Sequence, residues 1–335
     1  MLRYTLRRIL LLIPVLIGVV VIIFTINYVT GSDKQVIAFL LSSTASAEDV
    51  AAKLHDLGLD RPYLVQLGDY FWQIIAHGSF GTSYVLHKPV AELISQRIWI
   101  TVRLGLGAAL ISTVIGIPIG IFAAVKQNSI FDYICTFFAT LCSALPSFWL
   151  CLVFILFFSV KLKWFPITGI KTWKGYVLPI VASGIFPIAM LVRMTRSSML
   201  EVIRQDYIRT ARAKGLPERR VVWKHALQNA LVPVATLIGT NIGASLTGSV
   251  LAETIFNIPG LGLLMQDSLS KHDTITEMGC ILLCAFIMSS MNLLTDLFYA
   301  VIDPRIHAQY ENSGKKIKKT QSKPLPEQKG GEASV

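Results

Sequence analysis

Six apolar runs, each long enough to cross a lipid bilayer, constrain this chain more than any other feature. They fall at about 9–29, 99–125, 133–160, 176–192, 229–252 and 278–302. A helix rises about 1.5 Å per residue, so roughly 20 apolar residues cover the hydrocarbon layer. Within that layer every backbone N–H and C=O must be paired inside the chain, which makes the helix the local solution for such runs. The composition agrees, with 53% hydrophobic and 15% charged residues, against about 25% charged in a soluble domain. The expected fold is an all-α polytopic membrane protein with six transmembrane helices.

Arg3, Arg7 and Arg8 precede the first run. That run exceeds the roughly 7–15 residues of a signal-peptide core, and the cleavage-like Ala45-Ser46-Ala47 lies well beyond it. It reads as a retained anchor. With the N-terminus inside, the inner connections carry three, one, nine and seven Lys/Arg, and the outer ones five, four and one. The basic excess inside predicts an N-in/C-in topology, although Lys161, Lys163, Lys171 and Lys174 argue locally against it. The net charge of +11 follows from the same bias and does not point to nucleic acid. Cys135, Cys142, Cys151, Cys280 and Cys284 all lie in apolar runs, as small buried hydrophobes do. Their spacing suggests neither disulfides nor metal.

Between the first two runs, residues 31–97 form a mixed, extracytoplasmic insertion. Ser46 followed by Glu48 and Asp49 predicts a helix start, and Gly58 its stop. A second short helix is expected over Tyr63–Ala76, with Tyr70, Phe71 and Trp72 suited to the membrane interface. His55, His77 and His87 match no ligand motif. Beyond Asp303 the Lys-, Pro- and Gly-rich tail lacks the apolar residues of a core and is expected to be disordered.

No internal energy source is evident. There is no Walker A loop, HExxH or G-x-S-x-G, and no paired CxxC. Within the runs, Arg103 lies near an end, and Asp296 is a weak candidate proton site for a secondary transporter. The fifth run carries a polar stripe of Thr236, Thr240, Asn241, Ser245 and Thr247, a candidate lining for a hydrated passage or a set of interhelical hydrogen bonds. Gly116/Gly120 and Gly239/Gly243 have the spacing that lets membrane helices approach closely.

The charged stretch between the fourth and fifth runs, residues 193–228, carries nine Lys/Arg against three acids, Glu201, Asp206 and Glu218. Asp206–Lys214 has helical composition, Gly215 suits a left-handed stop, and Leu216-Pro217-Glu218 can begin a second helix. Tyr207, Ala211, Leu216, Val221, Val222 and Trp223 interrupt the basic surface. They suggest an apolar patch that fits a groove on a partner, or alternatively a structured loop that packs on its own bundle.

Arg209-Thr-Ala-Arg-Ala-Lys-Gly215, followed by His225-Ala-Leu-Gln-Asn229, resembles the "EAA" loop of ABC importer permeases. Arg209 stands where the acid of that name falls, and Gln228 where many members have proline. GLDRPYLVQ (58–66), GSFGTS (78–83), ALPSFWL (144–150), ETIFNIPGLG (253–262) and DPRI (303–306) are similar to the dipeptide/oligopeptide/nickel permease family. The resemblance implies a subunit of a type I importer in the inner membrane, not an enzyme in its own right. Its expected partners are a second, similar permease, two cytoplasmic ATPases that carry the ATP and Mg, and an extracytoplasmic substrate-binding protein. The cargo would be dipeptides or oligopeptides, or alternatively nickel or a metal chelate. The loop that couples to the ATPases would comprise Asp206, Tyr207, Thr210, Ala211, Arg212, Ala213, Lys214, Gly215 and Leu216, with His225 and Asn229.

Overall fold

The apolar runs fold as helices because nothing within most of them competes with helical pairing. A computed structural model describes residues 2–31, 37 and 47–302. Its helices are α1 (Leu2–Thr30), α2 (Ala47–Asp56), α3 (Tyr63–His77), α4 (Val90–Val125), α5 (Ile130–Ala144) and α6 (Ser147–Phe154), which continues through a π-helical stretch, Ile155–Lys161. There follow α7 (Lys174–Ile203), α8 (Asp206–Ala213) and α9 (Glu218–Arg220). The last of these leads through π-helical turns (Val221–Ala226) into α10 (Leu227–Leu246), and α11 (Val250–Ile255), α12 (Leu261–Ser270) and α13 (Thr274–Ile302) complete the order. The expected helix start at Ser46 and the tail from Asp303 lie outside the described residues.

Among the described residues, five helices are long and apolar enough to cross a membrane, or six if the bent pair α5 and α6 counts as one span. The third run is therefore not one straight helix over 133–160. It bends by 101° at Leu145, which is extended (φ −77°, ψ 133°) before Pro146. The proline ring excludes the helical conformation from the residue before it. The fourth run also differs from its expected extent, since α7 continues eleven residues past 192 to Ile203. Arg193, Arg196 and Glu201 thus belong to a helix, not to a loop.

Close approach of α4 and α7 organises the bundle. A methyl group on Gly120 would lie 2.6 Å from Thr195 Cβ and 2.8 Å from the Val192 carbonyl, and one on Gly116 2.7 Å from Leu191 Cβ. The predicted small-xxx-small seam is therefore in contact, and Gly239 and Gly243 similarly press α10 against Thr295 and Met291 of α13. Gly120→Ala should destabilise the subunit by about 1–3 kcal/mol, the usual cost of overpacking. Gly18→Ala, with nothing within 4 Å of the added carbon, should leave the thermal midpoint in detergent unchanged. Equal midpoints for the two variants would remove the seam from the account.

The two ends of α4 separate two clusters. At its start, Val90, Leu93 and Ile94 pack with Leu261, Leu264 and Cys280. At its close, Ile121 and Ala124 pack with Met199, Ile208, Ala211, Val221, Val222, Ala226 and Ala230. Helix α3 of the insertion lies against α1 and α13, with Tyr70 buried among Val20 and Met278. Trp72 of the same helix is exposed.

Candidate functional site

The charged connection folds as a short helix seated on the base of the bundle. Gln205 is extended, and α8 begins at Asp206, whose carboxylate suits the positive end of the helix. Ile208 and Ala211 share one face and are buried. The backbone then turns at Gly215, which has φ +76°, a left-handed conformation that glycine adopts without strain. The Gly215 amide donates to the Arg212 carbonyl (2.9 Å) and the Leu216 amide to the Ala211 carbonyl (3.4 Å). Pro217 precedes the next helix rather than lying inside it. The Arg212 guanidinium bridges to Glu218 with contacts of 2.6 and 3.1 Å, an exposed pair worth about 0.2–1 kcal/mol.

The apolar residues of this segment divide between the two expectations. Ala211, Val221 and Val222 are buried in the chain's own cluster, and Leu216 packs against it. They do not form a patch for a partner, because α8 itself needs an apolar face to hold it to α4, α7 and α10. Tyr207 (43% exposed) and Trp223 (47%) do remain on the surface. Asp206, Thr210, Arg212, Ala213, Lys214 and Gly215 are exposed as well. Asn229 donates its side-chain amide to the Tyr207 hydroxyl at 2.8 Å, and His225 lies half-buried on the π-helical turn beside them. The outward face of α8 is thus polar, with an aromatic edge.

Just above, the Arg196 guanidinium of α7 donates to both carboxylate oxygens of Asp132 at 2.5 and 2.8 Å. The carboxylate also accepts from the Asn128 amide at 3.0 Å. This clamp joins the start of α5 to the end of α7 across 64 residues of sequence. No sequence motif pointed to it. At the same end of the bundle Asp296 is ion-paired with Arg8, so the one acid considered for proton transfer has a structural partner.

The polar stripe on α10 is only partly brought together. Thr236 and Thr240 line a groove of about 570 Å³ with Pro233 and Leu237 and with Met190, Arg193, Met194 and Ser197 of α7. Asn241, Ser245 and Thr247 do not line it. Among the described residues the buried side-chain nitrogen of Asn241 has no hydrogen-bond partner, and the Thr247 carbonyl accepts from Cys284 Sγ at 3.3 Å. The segment 253–262 holds a buried assembly at the other end. Glu253 accepts from Thr101 Oγ1 (2.8 Å) and from the amides of Gly262 (2.7 Å) and Leu263 (3.2 Å). Thr101 Oγ1 in turn accepts from the Leu261 amide at 2.8 Å.

Among the described residues no group of three or more His, Cys, Asp or Glu side chains is placed to hold a metal. His55 is instead bonded to Asp60 at 2.6 Å. That hydrogen bond, together with the carboxylate's charge, raises the imidazole pKa above its ordinary value.

Known proteins share both the sequence and the fold. Residues 116–308 match the family described as the binding-protein-dependent transport system inner membrane component, and residues 1–105 match its N-terminal region. The chain is 41% identical over 335 residues to a dipeptide transport system permease protein of Alkalihalophilus pseudofirmus, covering 91% of this chain and 99% of that one. The corresponding permease of Escherichia coli K12 is 38% identical over 338 residues, with the same coverage. A putative peptide transport system permease of Brucella suis is 37% identical over 310 residues, covering 90% and 98%. In fold, the chain is similar to the inward-facing MetNI methionine ABC transporter, with a TM-score of 0.53 and 17% identity. That match covers 64% of this chain and 97% of the other. The chain therefore belongs to the family of binding-protein-dependent transport system inner membrane components, as a multi-pass permease subunit that is not itself an ATPase and works with ATPase and binding-protein partners.

Proposed function

We propose that the chain forms half of the passage of an ATP-driven importer of dipeptides or oligopeptides. A second, similar permease supplies the other half, and two ATPases sit beneath the pair on the cytoplasmic side. An extracytoplasmic binding protein delivers cargo to the face that holds the insertion and α12. The subunit lies N-in and C-in, and the segment Asp206–Val222 docks to an ATPase. ATP and Mg belong to those ATPases.

The observation that carries this reading is the seating of α8. Ile208 and Ala211 key into the same cluster as Ile121 of α4, Met199 of α7 and Ala230 of α10. Interiors packed this way transmit displacement instead of absorbing it. A partner that moves α8 therefore moves three spans together. The peptide cargo is supported by the relatives, named as dipeptide and peptide permeases. Ion pairing of Asp296 with Arg8 leaves the secondary-transport alternative without a free acid at the position it required.

The test is accumulation of a labelled dipeptide in proteoliposomes that contain the whole importer. Uptake should require both ATP and the loaded binding protein. Uptake that survives ATP depletion but collapses with the proton gradient would overturn the mechanism. Nickel uptake without peptide uptake would overturn the cargo assignment.

A further inference from the structure

Arg193 and Arg196 lie one helical turn apart on α7 and have different surroundings. Arg196 is clamped by Asp132. Arg193 is exposed, lines the groove between α7 and α10, and among the described residues pairs with no carboxylate. About 15 Å of helix separates it from Ile203 at the end of α7. About 28 Å of helix separates it from Lys174 at the other end, close to the thickness of the hydrocarbon layer. The guanidinium therefore sits near one end of the membrane-crossing part of α7, where an unpaired charge faces water or a partner and not lipid tails.

The groove around it has a regular construction. Met190, Arg193, Met194 and Ser197 are spaced i, i+3, i+4, i+7, and so are Pro233, Thr236, Leu237 and Thr240. Each set is one continuous stripe of its helix. Together they present two flexible thioethers, three hydroxyls and one charge. The Thr240 hydroxyl donates to the carbonyls of Thr236 and Leu237, both at 3.1 Å, which leaves its oxygen as an acceptor. Thioether side chains repack around differently shaped apolar groups. Such a wall tolerates variable side chains and recognises one fixed anionic group.

We infer that Arg193 is a cargo-contacting, specificity-determining residue whose guanidinium receives the terminal carboxylate of a peptide crossing the groove. The inference rests on the peptide-import reading above. A dipeptide varies in both side chains, but its terminal carboxylate is constant, and the planar guanidinium matches that group with two parallel hydrogen bonds. The hydroxyls of Ser197, Thr236 and Thr240 serve the peptide amide and ammonium groups.

The test compares Arg193→Gln with the unsubstituted chain in the complete reconstituted importer. Each is given a dipeptide with a free carboxylate and the same dipeptide as its C-terminal amide, both at concentrations that occupy the binding protein. Hydrogen bonds to a charged group contribute about 1.5–3 kcal/mol, so Arg193→Gln should slow free-acid uptake by about 10–100-fold. Amide uptake should change by less than about threefold, and because each loss is a ratio within one cargo, the binding protein's own preference cancels, as in a double-mutant cycle. ATP hydrolysis stimulated by the binding protein should persist, and the subunits should still co-purify.

Equal losses for both cargoes would overturn the inference, as would collapse of the complex, which would assign Arg193 to an acid of the second permease. Unchanged uptake in the variant would also overturn it, assigning the guanidinium to lipid headgroups. If the unsubstituted importer takes up neither peptide, the peptide-import reading itself fails, a result distinct from all of these.

Discussion

Gly215→Asp is expected to abolish dipeptide uptake, to below about one hundredth of the parent rate, while the subunit still folds and inserts. At φ +76° a residue with a Cβ carries a strain of about 1–2 kcal/mol, and aspartate is among the side chains that tolerate this region best. A Cβ at Gly215 would meet nothing within 4 Å, so the apolar cluster beneath α8 is undisturbed. The new carboxylate instead projects from the exposed corner between α8 and α9, where the ATPase is proposed to dock. Placing an unpaired charge in a closed interface costs several kcal/mol, and about 2.7 kcal/mol is already a hundredfold. Gly215→Ala carries at least as much backbone strain without the charge and should slow uptake only a few-fold. The measurements are uptake, abundance in the membrane fraction and co-purification of the ATPase. Normal uptake in Gly215→Asp would end the docking assignment, and loss of the protein from the membrane would show that Gly215 serves folding instead.

The same comparison shows why Ala211 is a poorer probe than its place in the motif suggests. A bulky residue there has to enter the cluster of Ile121, Met199 and Val221, so uptake would fall through overpacking alone. Thr210 and Ala213 are exposed on the outward face and report docking more directly.

Helix existence was legible because an apolar run of bilayer length has one low-energy backbone solution. Helix interruption was legible in principle at Pro146, where the residue before a proline leaves the helical region, but run length alone concealed it. The extension of α7 past residue 192 was hidden by Arg193, Arg196 and Glu201. Polarity suggested water, whereas one arginine has a carboxylate partner and the other lines a groove. For Ala211, Val221 and Val222, sequence pattern established that these residues need cover but not what covers them. The least legible features are contacts between remote positions. Ser83 with Asp273, Thr101 with Glu253 and Arg196 with Asp132 are 190, 152 and 64 residues apart. No periodicity in a single chain encodes those pairs. The glycines of ETIFNIPGLG were legible only as part of a family-like segment, and nothing in the sequence named the group they pack around.

That group is Glu253, and Glu253→Ala is expected to be the most destabilising single substitution at this end of the bundle. Among the described residues, each hydrogen bond to its side chain comes from a donor: the Thr101 hydroxyl and the first-turn amides of α12 at Gly262 and Leu263. An acceptor-only carboxylate satisfies all three, and those amides have no partner within their own helix. A Cβ at Gly260 or Gly262 would lie 2.4 or 2.9 Å from Glu253 Oε2, so the glycines let the backbone close over the carboxylate. Removing it strands three donors in a site where Glu253 has no exposed surface, at about 1–3 kcal/mol each. A total near 4 kcal/mol is expected, which lowers the thermal midpoint in detergent by about 10 °C. Glu253→Gln is the informative partner. It preserves shape, but its amide nitrogen is a donor facing donors, so it should retain at least half the loss. Thr101→Val should be intermediate, because the hydroxyl both donates to Glu253 and accepts from Leu261. If Glu253→Gln unfolds at the parent temperature, the site does not require a carboxylate, and the pinning of α12 to α4 must come from Leu261 and Leu264 packing on Val90, Leu93 and Ile94.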